Sequence, residues 1–308
     1  MIRTMMTTTR RYRPPILPRN LKDPTGVDRL ERGAMRELRR RIRKALKAIL
    51  RLLEQVPAEP AVNRRYTFRL DEAVLAMLLS GVSSSIEEAL LEGGEHSLWF
   101  YETYVAVAYR RGTAQEFANL AQQSPTYKAG RTDIASLMRS DPYRRRLALI
   151  RAREFEEMKG LTATVTANMS RVLTDGLGRG LNPRDIAKSL TRQAGIEERR
   201  ANRIARTEVG TALRRARWDE SDDARSEYGL KGMQMHLSAL SPTTRKTHAD
   251  RHSKLYTTEE VRDWYAQDGN AINCKCVQAL VLVDDRGRPL VPDIQARARA
   301  ALTTYEKE

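Results

Sequence analysis

Five side chains of types that bind soft divalent metals lie close together near the C-terminal end: His236, His248, His252, Cys274 and Cys276. They include three of the chain's four histidines and both of its cysteines. His248 and His252 are four positions apart, which places them on one face if the segment is helical. Cys274 and Cys276 form a C-x-C pair that can present two thiolates together. Two imidazoles and two thiolates suit tetrahedral zinc, so the candidate metal ligands are His248, His252, Cys274 and Cys276, and the cofactor is zinc. His236 falls on a strand and reads as a packing residue. The order H-x3-H then C-x-C departs from the common finger pattern, in which C-x2-C precedes the histidines. Two other readings stand beside zinc. The cysteines can pack in a core while the histidines make ordinary hydrogen bonds. A Cys–His nucleophile pair is also conceivable, although no third group that would orient it is evident.

The elements that must carry these residues are legible nearby. Residues 231–237 alternate and predict a strand. Residues 277–283 (VQALVLV) predict a second, buried strand, closed by a turn at 284–288. Thr257 followed by Glu260 predicts a capped short helix leading to Trp264 and Tyr265, and Asp268-Gly269 a turn before the cysteines. A two-stranded or small-sheet α+β module of roughly 55 residues fits this order, and modules of that size often need a staple.

Upstream, residues 67–228 read as mainly helix, in segments 70–92, 97–123, 141–156, 158–178, 184–194 and 196–227. Asn182 is the expected cap of the segment that Pro183 starts. Within 196–227, Glu208 has Ile204, Ala205, Thr211 and Ala212 as its helical neighbours, so a charge partner must come from another element. A salt-bridged surface carboxylate is the plain reading. No second carboxylate can be set beside it from sequence, so general acid–base chemistry has no support.

The N-terminal end is basic. Of the chain's net charge of +16, residues 1–56 hold +11, from 16 basic and 5 acidic residues. Residues 1–27, with Pro14, Pro15, Pro18 and Pro24, read as an extended arm. The next segment, to about residue 56, is helical: Met35, Leu38, Ile42, Leu46, Ile49 and Leu53 line one face, while Arg36, Arg39, Arg40, Arg43, Lys44, Lys47 and Arg51 cover much of the rest. Such a helix can bind nucleic acid, a membrane surface or an acidic protein, or can simply be solvated. Non-specific, salt-sensitive contact with phosphates is the preferred functional reading, because Arg outnumbers Lys there. No aromatic residues interleave, so stacking on single strands is not expected.

Composition sets the outer limits. A chain of 308 residues with 41% hydrophobic residues is not wholly disordered, and two cysteines exclude a disulfide framework. No run of about 18 apolar residues is apparent, so no bilayer-spanning segment and no membrane partner is expected. The first residues lack the apolar core of a secretory signal, which predicts an intracellular site. The expected fold is mainly α with a small C-terminal α+β module, in four consecutive parts: basic arm and helix (1–56), helical domain (57–228), the His/Cys module (229–288) and a C-terminal tail or helix (289–308).

Three motifs in order carry a resemblance: Arg203-Ile-Ala-Arg-Thr-Glu208, Arg245-x-x-His248 and Asn273-Cys-Lys-Cys276. Over roughly residues 150–285 the chain resembles the phage Mu protein F-like family, the minor head or head morphogenesis proteins of tailed bacteriophages. The resemblance marks Arg206, Thr207, Glu208, Arg245, His248, Cys274 and Cys276. It implies a structural, non-enzymatic role in capsid assembly near the portal, in the virion head assembled in the bacterial cytoplasm. The implied partners are the portal, coat or scaffold protein and packaged DNA. One position departs: relatives often carry Asp seven residues before the motif histidine, where this chain has Ser241. A metal-dependent nuclease or another phage-encoded enzyme is the alternative. Thiolates favour structural zinc, whereas nuclease metals such as Mg²⁺ prefer oxygen ligands. A sequence-reading DNA regulator would need a helix-turn-helix, and none is evident.

Overall fold

The computed structural model describes residues 12–305, so residues 1–11 of the basic arm lie outside the described residues. In chain order the elements are α1 (Asp28–Glu54), β1 (Ala58–Pro60), β2 (Tyr66–Phe68), α2 (Glu72–Leu90), α3 (Ala106–Gln123), α4 (Pro125–Gly130), α5 (Ile134–Arg139) and α6 (Asp141–Gly178). They continue with α7 (Pro183–Tyr228), β3 (Gly232–Leu237), α8 (Lys246–Ala249), β4 (Leu255–Tyr256), α9 (Thr258–Ala266), β5 (Val277–Leu282) and α10 (Ile294–Tyr305). A π-helical turn, Tyr101–Val105, leads into α3. The architecture is mainly α with small antiparallel sheets, as the sequence predicts. Contacts group the chain into two compact units that interleave in sequence. One, the helical unit, is Asp28–Ala108 with Asp141–Gly210; the other, the sheet unit, takes in Tyr109–Ser140, Thr211 onward and the residues before Asp28. The four consecutive parts drawn from composition differ from this grouping because α3 and α7 each run from one unit into the other.

In the helical unit, α1 buries Ala34, Leu38, Ile42, Ala45, Leu46, Ile49 and Leu53, spaced three and four apart, and packs against α2. Helix α2 buries Leu78, Val82, Ile86, Ala89 and Leu90. It is also long and apolar enough, by length and composition alone, to cross a bilayer. Gly81 and four serines interrupt its apolar run, so the mean hydropathy of the helix, and not an unbroken apolar stretch, meets that criterion. Helix α6 buries Ile150, Met158, Leu161, Val165, Met169, Leu173 and Leu177. The turn after it is a Schellman cap: Leu181 N–H reaches Gly176 O at 3.0 Å and Gly180 N–H reaches Leu177 O at 3.0 Å. Gly180 takes φ +64, and a Cβ there would meet Tyr66 O at 2.8 Å. Asn182 then caps α7, its Oδ1 accepting from Arg184 N–H at 2.9 Å. The breaks expected near 157 and 195 are absent; α6 and α7 are continuous. Gly160 and Gly195 meet nothing within 4 Å, and the propensity penalty of one glycine, about 1 kcal/mol, is overridden by packing along the rest of each helix.

In the sheet unit, β3 is central in the order β4-β3-β5, both pairings antiparallel, with Gly232 opposite Leu282 and Leu237 opposite Val277. The sheet is thus three-stranded. All six residues of β5 are buried, which explains why it is apolar on both faces except at Gln278, whose carboxamide is hydrogen-bonded. Its outer edge meets α3 instead of a further strand. Asn119 Nδ2 and Gln123 Nε2 donate to Leu280 O at 3.0 and 2.9 Å, and Gln123 Oε1 accepts from Leu282 N–H at 3.1 Å. Two carboxamides thereby satisfy backbone groups that an open edge would leave unpaired. Along α3, Asn119 Oδ1 accepts from Ile16 N–H, and Gln115 and Gln122 donate to Thr25 O and Pro14 O. These bonds hold the segment along α3; residues 12–18 carry no regular structure, and residues 20–26 form turns, which differs from the extended arm expected from the prolines. Where α3 and α7 meet, a Cβ on Gly112 would lie 2.3 Å from Leu213 O, so only glycine allows that approach.

Glu220, on α7, is buried beside Tyr127, whose hydroxyl donates to it at 2.5 Å, and Arg131 at 3.5 Å. Burial pushes its carboxyl up to about 7, against the help of Tyr127 and Arg131. Because the folded-state value is raised, the proton stabilises the fold below about pH 4.5, and that contribution is lost as pH rises through about 7. Glu220→Gln should therefore gain stability relative to the wild type between pH 5 and 8, by roughly 2 kcal/mol. Urea melts at the two pH values test this, and parallel curves would refute it.

Candidate metal centre

The sheet unit brings four of the five metal-binding side chains together. Strand β3 supplies His236. The single turn α8 supplies His248. The loop before β5 supplies Cys274 and Cys276. Nδ1 of His248 lies 3.4 Å from Cys274 Sγ and 3.5 Å from Cys276 Sγ. His236, His248 and Cys276 each offer a ligand atom within 4.8 Å of the others. All are buried: His236 is 0% exposed, His248 2%, Cys274 and Cys276 3%. Nε2 of His236 and Nε2 of His248 have no hydrogen-bond partner among the described residues.

His252 is not in this group. Helix α8 ends at Ala249, so the four-residue spacing does not put His252 on a shared helical face. Its Nδ1 accepts from Ser238 N–H at 3.0 Å, and its Nε2 bonds Ala298 O on α10 at 2.8 Å. Both ring nitrogens are thus occupied, Nδ1 by Ser238 and Nε2 by the C-terminal helix. His236, read from sequence as strand packing, takes the place expected of His252. Its position on β3 was visible; that its face of the sheet is covered was not, since Gln234 and His236 alternate with apolar residues like a solvent-facing set.

Two arginines hold the cysteine loop by its carbonyls. Arg214, 1% exposed on α7, donates to Cys274 O at 3.1 Å, Cys276 O at 3.4 Å and Thr211 Oγ1 at 3.1 Å, and lies 4.6 Å over the Tyr265 ring. Arg245 donates to Gly269 O, Asn270 O and Ile272 O at 3.0–3.1 Å. The motif arginine thus positions the loop and touches no metal-binding atom. Asn273 takes φ +53 just before the first cysteine and turns the chain into the site. Above the cluster, Trp264 lies 4.7 Å from the His248 ring and 5.5 Å from the His236 ring. Arg251 is held between the Tyr256 and Trp264 rings at 3.7 and 4.4 Å. Ser241 bonds Thr243 and Thr244 and supplies nothing to the cluster.

Electrostatics favour the metal-binding forms of Cys274 and His236, and the neutral thiol at Cys276. The hydrogen bond from Cys276, then that from His248 and the charge of Arg214, holds the Cys274 thiol well below its ordinary value, while the same bond and burial push Cys276 up. Burial lowers His236 to about 3, so the ring is neutral, as a ligand must be.

Arg206, Thr207 and Glu208 belong to the helical unit. Glu208 pairs with Arg153 of α6 at 2.6 Å, the partner on another element that its neighbours required. A second carboxylate, Glu154, is present after all; burial and the charge of Glu208 push its carboxyl well up. Nothing in the sequence separated Glu154 from its many charged neighbours on α6. Arg206 faces buried Glu31 at 3.5 Å.

On α1, Arg36, Arg39, Arg40, Arg43, Lys44, Lys47 and Arg51 line one continuous concave strip with Ala48. Arg40, Arg43 and Lys44 pair with Glu37, Glu198 and Glu88. Arg39 turns its Nε to Met35 O. Arg36, Lys47 and Arg51 are exposed and have no carboxylate partner among the described residues.

Residues 167–279 match the family model described as Phage Mu protein F like protein. No curated protein and no solved structure matches the chain.

Proposed function

We propose that this chain, which carries a phage Mu protein F-like domain over residues 167–279, is a structural minor head protein that acts in capsid morphogenesis by binding and not by catalysis. The observation that carries the reading is the family match, which spans the last third of α6, all of α7 and most of the sheet and its cysteine loop. The closed cluster supports it. Every candidate ligand is buried, so a substrate has no path to a metal or thiolate there, which disfavours the nuclease alternative. The virion head, near the portal, is the proposed location, with the portal, coat or scaffold protein as partner.

The basic strip of α1 is the proposed contact with packaged DNA, through phosphates and without base reading. Changing Arg36, Arg39, Lys47 and Arg51 together to Glu should weaken binding to duplex DNA at least tenfold. It should also flatten the dependence of log affinity on log salt by about 4, near one unit per lost phosphate contact. Equal affinity and slope for variant and wild type would remove the helix from the account.

The head assignment is tested by quantitative mass spectrometry of purified particles, comparing DNA-filled heads with emptied ones. A few copies per filled head supports it. Absence from both, with the chain present in infected cells, refutes it.

A further inference from the structure

We propose that Cys274, Cys276, His248 and His236 form a closed, structural zinc site that ties together the sheet unit. Zinc held by a thiolate at about 2.3 Å and an imidazole at about 2.05 Å, at the tetrahedral angle, puts sulfur and nitrogen about 3.5 Å apart. His248 Nδ1 stands 3.4 and 3.5 Å from the two sulfurs, the separation such a tetrahedron requires of each nitrogen–sulfur edge. The fourth corner is His236, fully buried, its Nε2 unpartnered, with a ring nitrogen inside the 4.8 Å group.

The surroundings are those of ligated thiolates. Cys276 N–H points at Cys274 Sγ at 3.4 Å, Tyr265 Oη lies 3.5 Å from Cys274 Sγ, and Ser238 Oγ 3.6 Å from Cys276 Sγ. All three can donate to a thiolate and orient it, as outer hydrogen bonds do around metal sites. Gln278 holds His236 by Nδ1 at 3.1 Å. Binding of metal through Nε2 makes Nδ1 a donor, which turns the Gln278 carboxamide oxygen toward the ring and releases its 3.2 Å bond from Trp218 Nε1. Two thiolates neutralise a divalent ion, so the filled site carries no net charge into the core. Thiolate and imidazole ligands select zinc over magnesium or calcium. Four protein ligands leave no open position, so the ion is structural.

The consequence is mechanical. The 39-residue excursion between β3 and β5 holds only three short elements: α8, α9 and the two-residue β4. The metal would join its start, its middle and its end, and closing such long loops is where a cross-link contributes most.

The test uses the full chain. Purified without chelator, it should hold about one zinc per chain by elemental mass spectrometry. Exchange for Co²⁺ should give a thiolate-to-cobalt charge-transfer band and the intense visible bands of tetrahedral cobalt. Cys274→Ser with Cys276→Ser should cut zinc content at least tenfold, His236→Ala should lower metal affinity at least tenfold, and His252→Ala should retain the metal. A wild-type chain that is folded, metal-free and gives no charge-transfer band overturns the proposal. So does retention of zinc by the double serine variant. If that variant does not fold, the wild-type cobalt spectrum decides alone. The outcome is independent of the head assignment, which the particle measurement tests separately.

Discussion

Arg217→Met is expected to destabilise the sheet unit by about 3–5 kcal/mol, the usual result of removing one partner from a buried ion pair. Arg217 is 4% exposed and Glu116 0%. The guanidinium binds Glu116 Oε2 through Nε at 2.9 Å and through Nη2 at 2.8 Å. The other carboxylate oxygen accepts from Asn119 Nδ2 at 2.7 Å. Without Arg217 that carboxylate is left buried with one neutral donor, and Asn119, which also covers the edge of β5, is drawn from its place. The double variant Arg217→Met with Glu116→Leu should recover most of the loss, because two apolar side chains leave no uncompensated charge. In thermal melts the single change should lower the transition by on the order of 10 °C. If the single and double variants melt together, well below the wild type, the pair is not what holds the site.

The second large effect is expected at Arg214, one of the largest fully buried side chains. Arg214→Met removes donors to two carbonyls of the cysteine loop and to Thr211 Oγ1, and leaves those acceptors unpaired in the core. The expected loss is about 3 kcal/mol, since hydrogen bonds from a charged donor are worth more than neutral ones and orphaned buried acceptors add a desolvation penalty. Arg214→Lys should recover only part of it, because a single ammonium nitrogen can replace Nη1 at the two carbonyls but cannot also serve Thr211 Oγ1, which Nη2 of the planar fork reaches. Denaturant melts of the three chains should rank wild type, Lys and Met in that order. A lysine variant as stable as the wild type would show that charge alone, and not the fork, supports the loop.

Taken together the two arginines show how α7 serves the sheet unit. Arg214, Arg217, Trp218, Glu220 and Ser221 follow one another along its last turns, and each bonds a different element. In sequence this stretch looks like a charged, solvated helix. In the structure Arg214, Arg217, Glu220 and Ser221 are buried polar residues, and their partners come from α3, α4, β3, β5 and the cysteine loop. A mutational survey guided by charge alone would treat them as surface.

What is written locally in the chain was legible from it. The two faces of α1 follow from spacing of three and four. The cap at Thr257, with both reciprocal bonds to Glu260, follows from residue types three positions apart. The stop at Gly180, the start at Pro183, both major strands and the pairing of Cys274 with Cys276 are likewise set by near neighbours. Each depends on backbone geometry within a turn or two, which residue type controls directly. The metal-binding types were therefore evident, and the structure brings His248 within 3.5 Å of the two cysteine sulfurs.

Other features were decided only by tertiary packing. His236 replaces His252 because the register of β3 against β5 turns one toward the cysteines, while α8 stops after one turn and sends the other to α10. The carboxamides of Asn119 and Gln123 close the sheet edge across separations of 161 and 157 residues. Glu154 meets Glu208, and Arg214 finds the cysteine carbonyls, for the same reason. Periodicity tells which side of an element is buried, but not which other element covers it. Pairings over such separations depend on the summed packing of all the elements, and no local pattern encodes them.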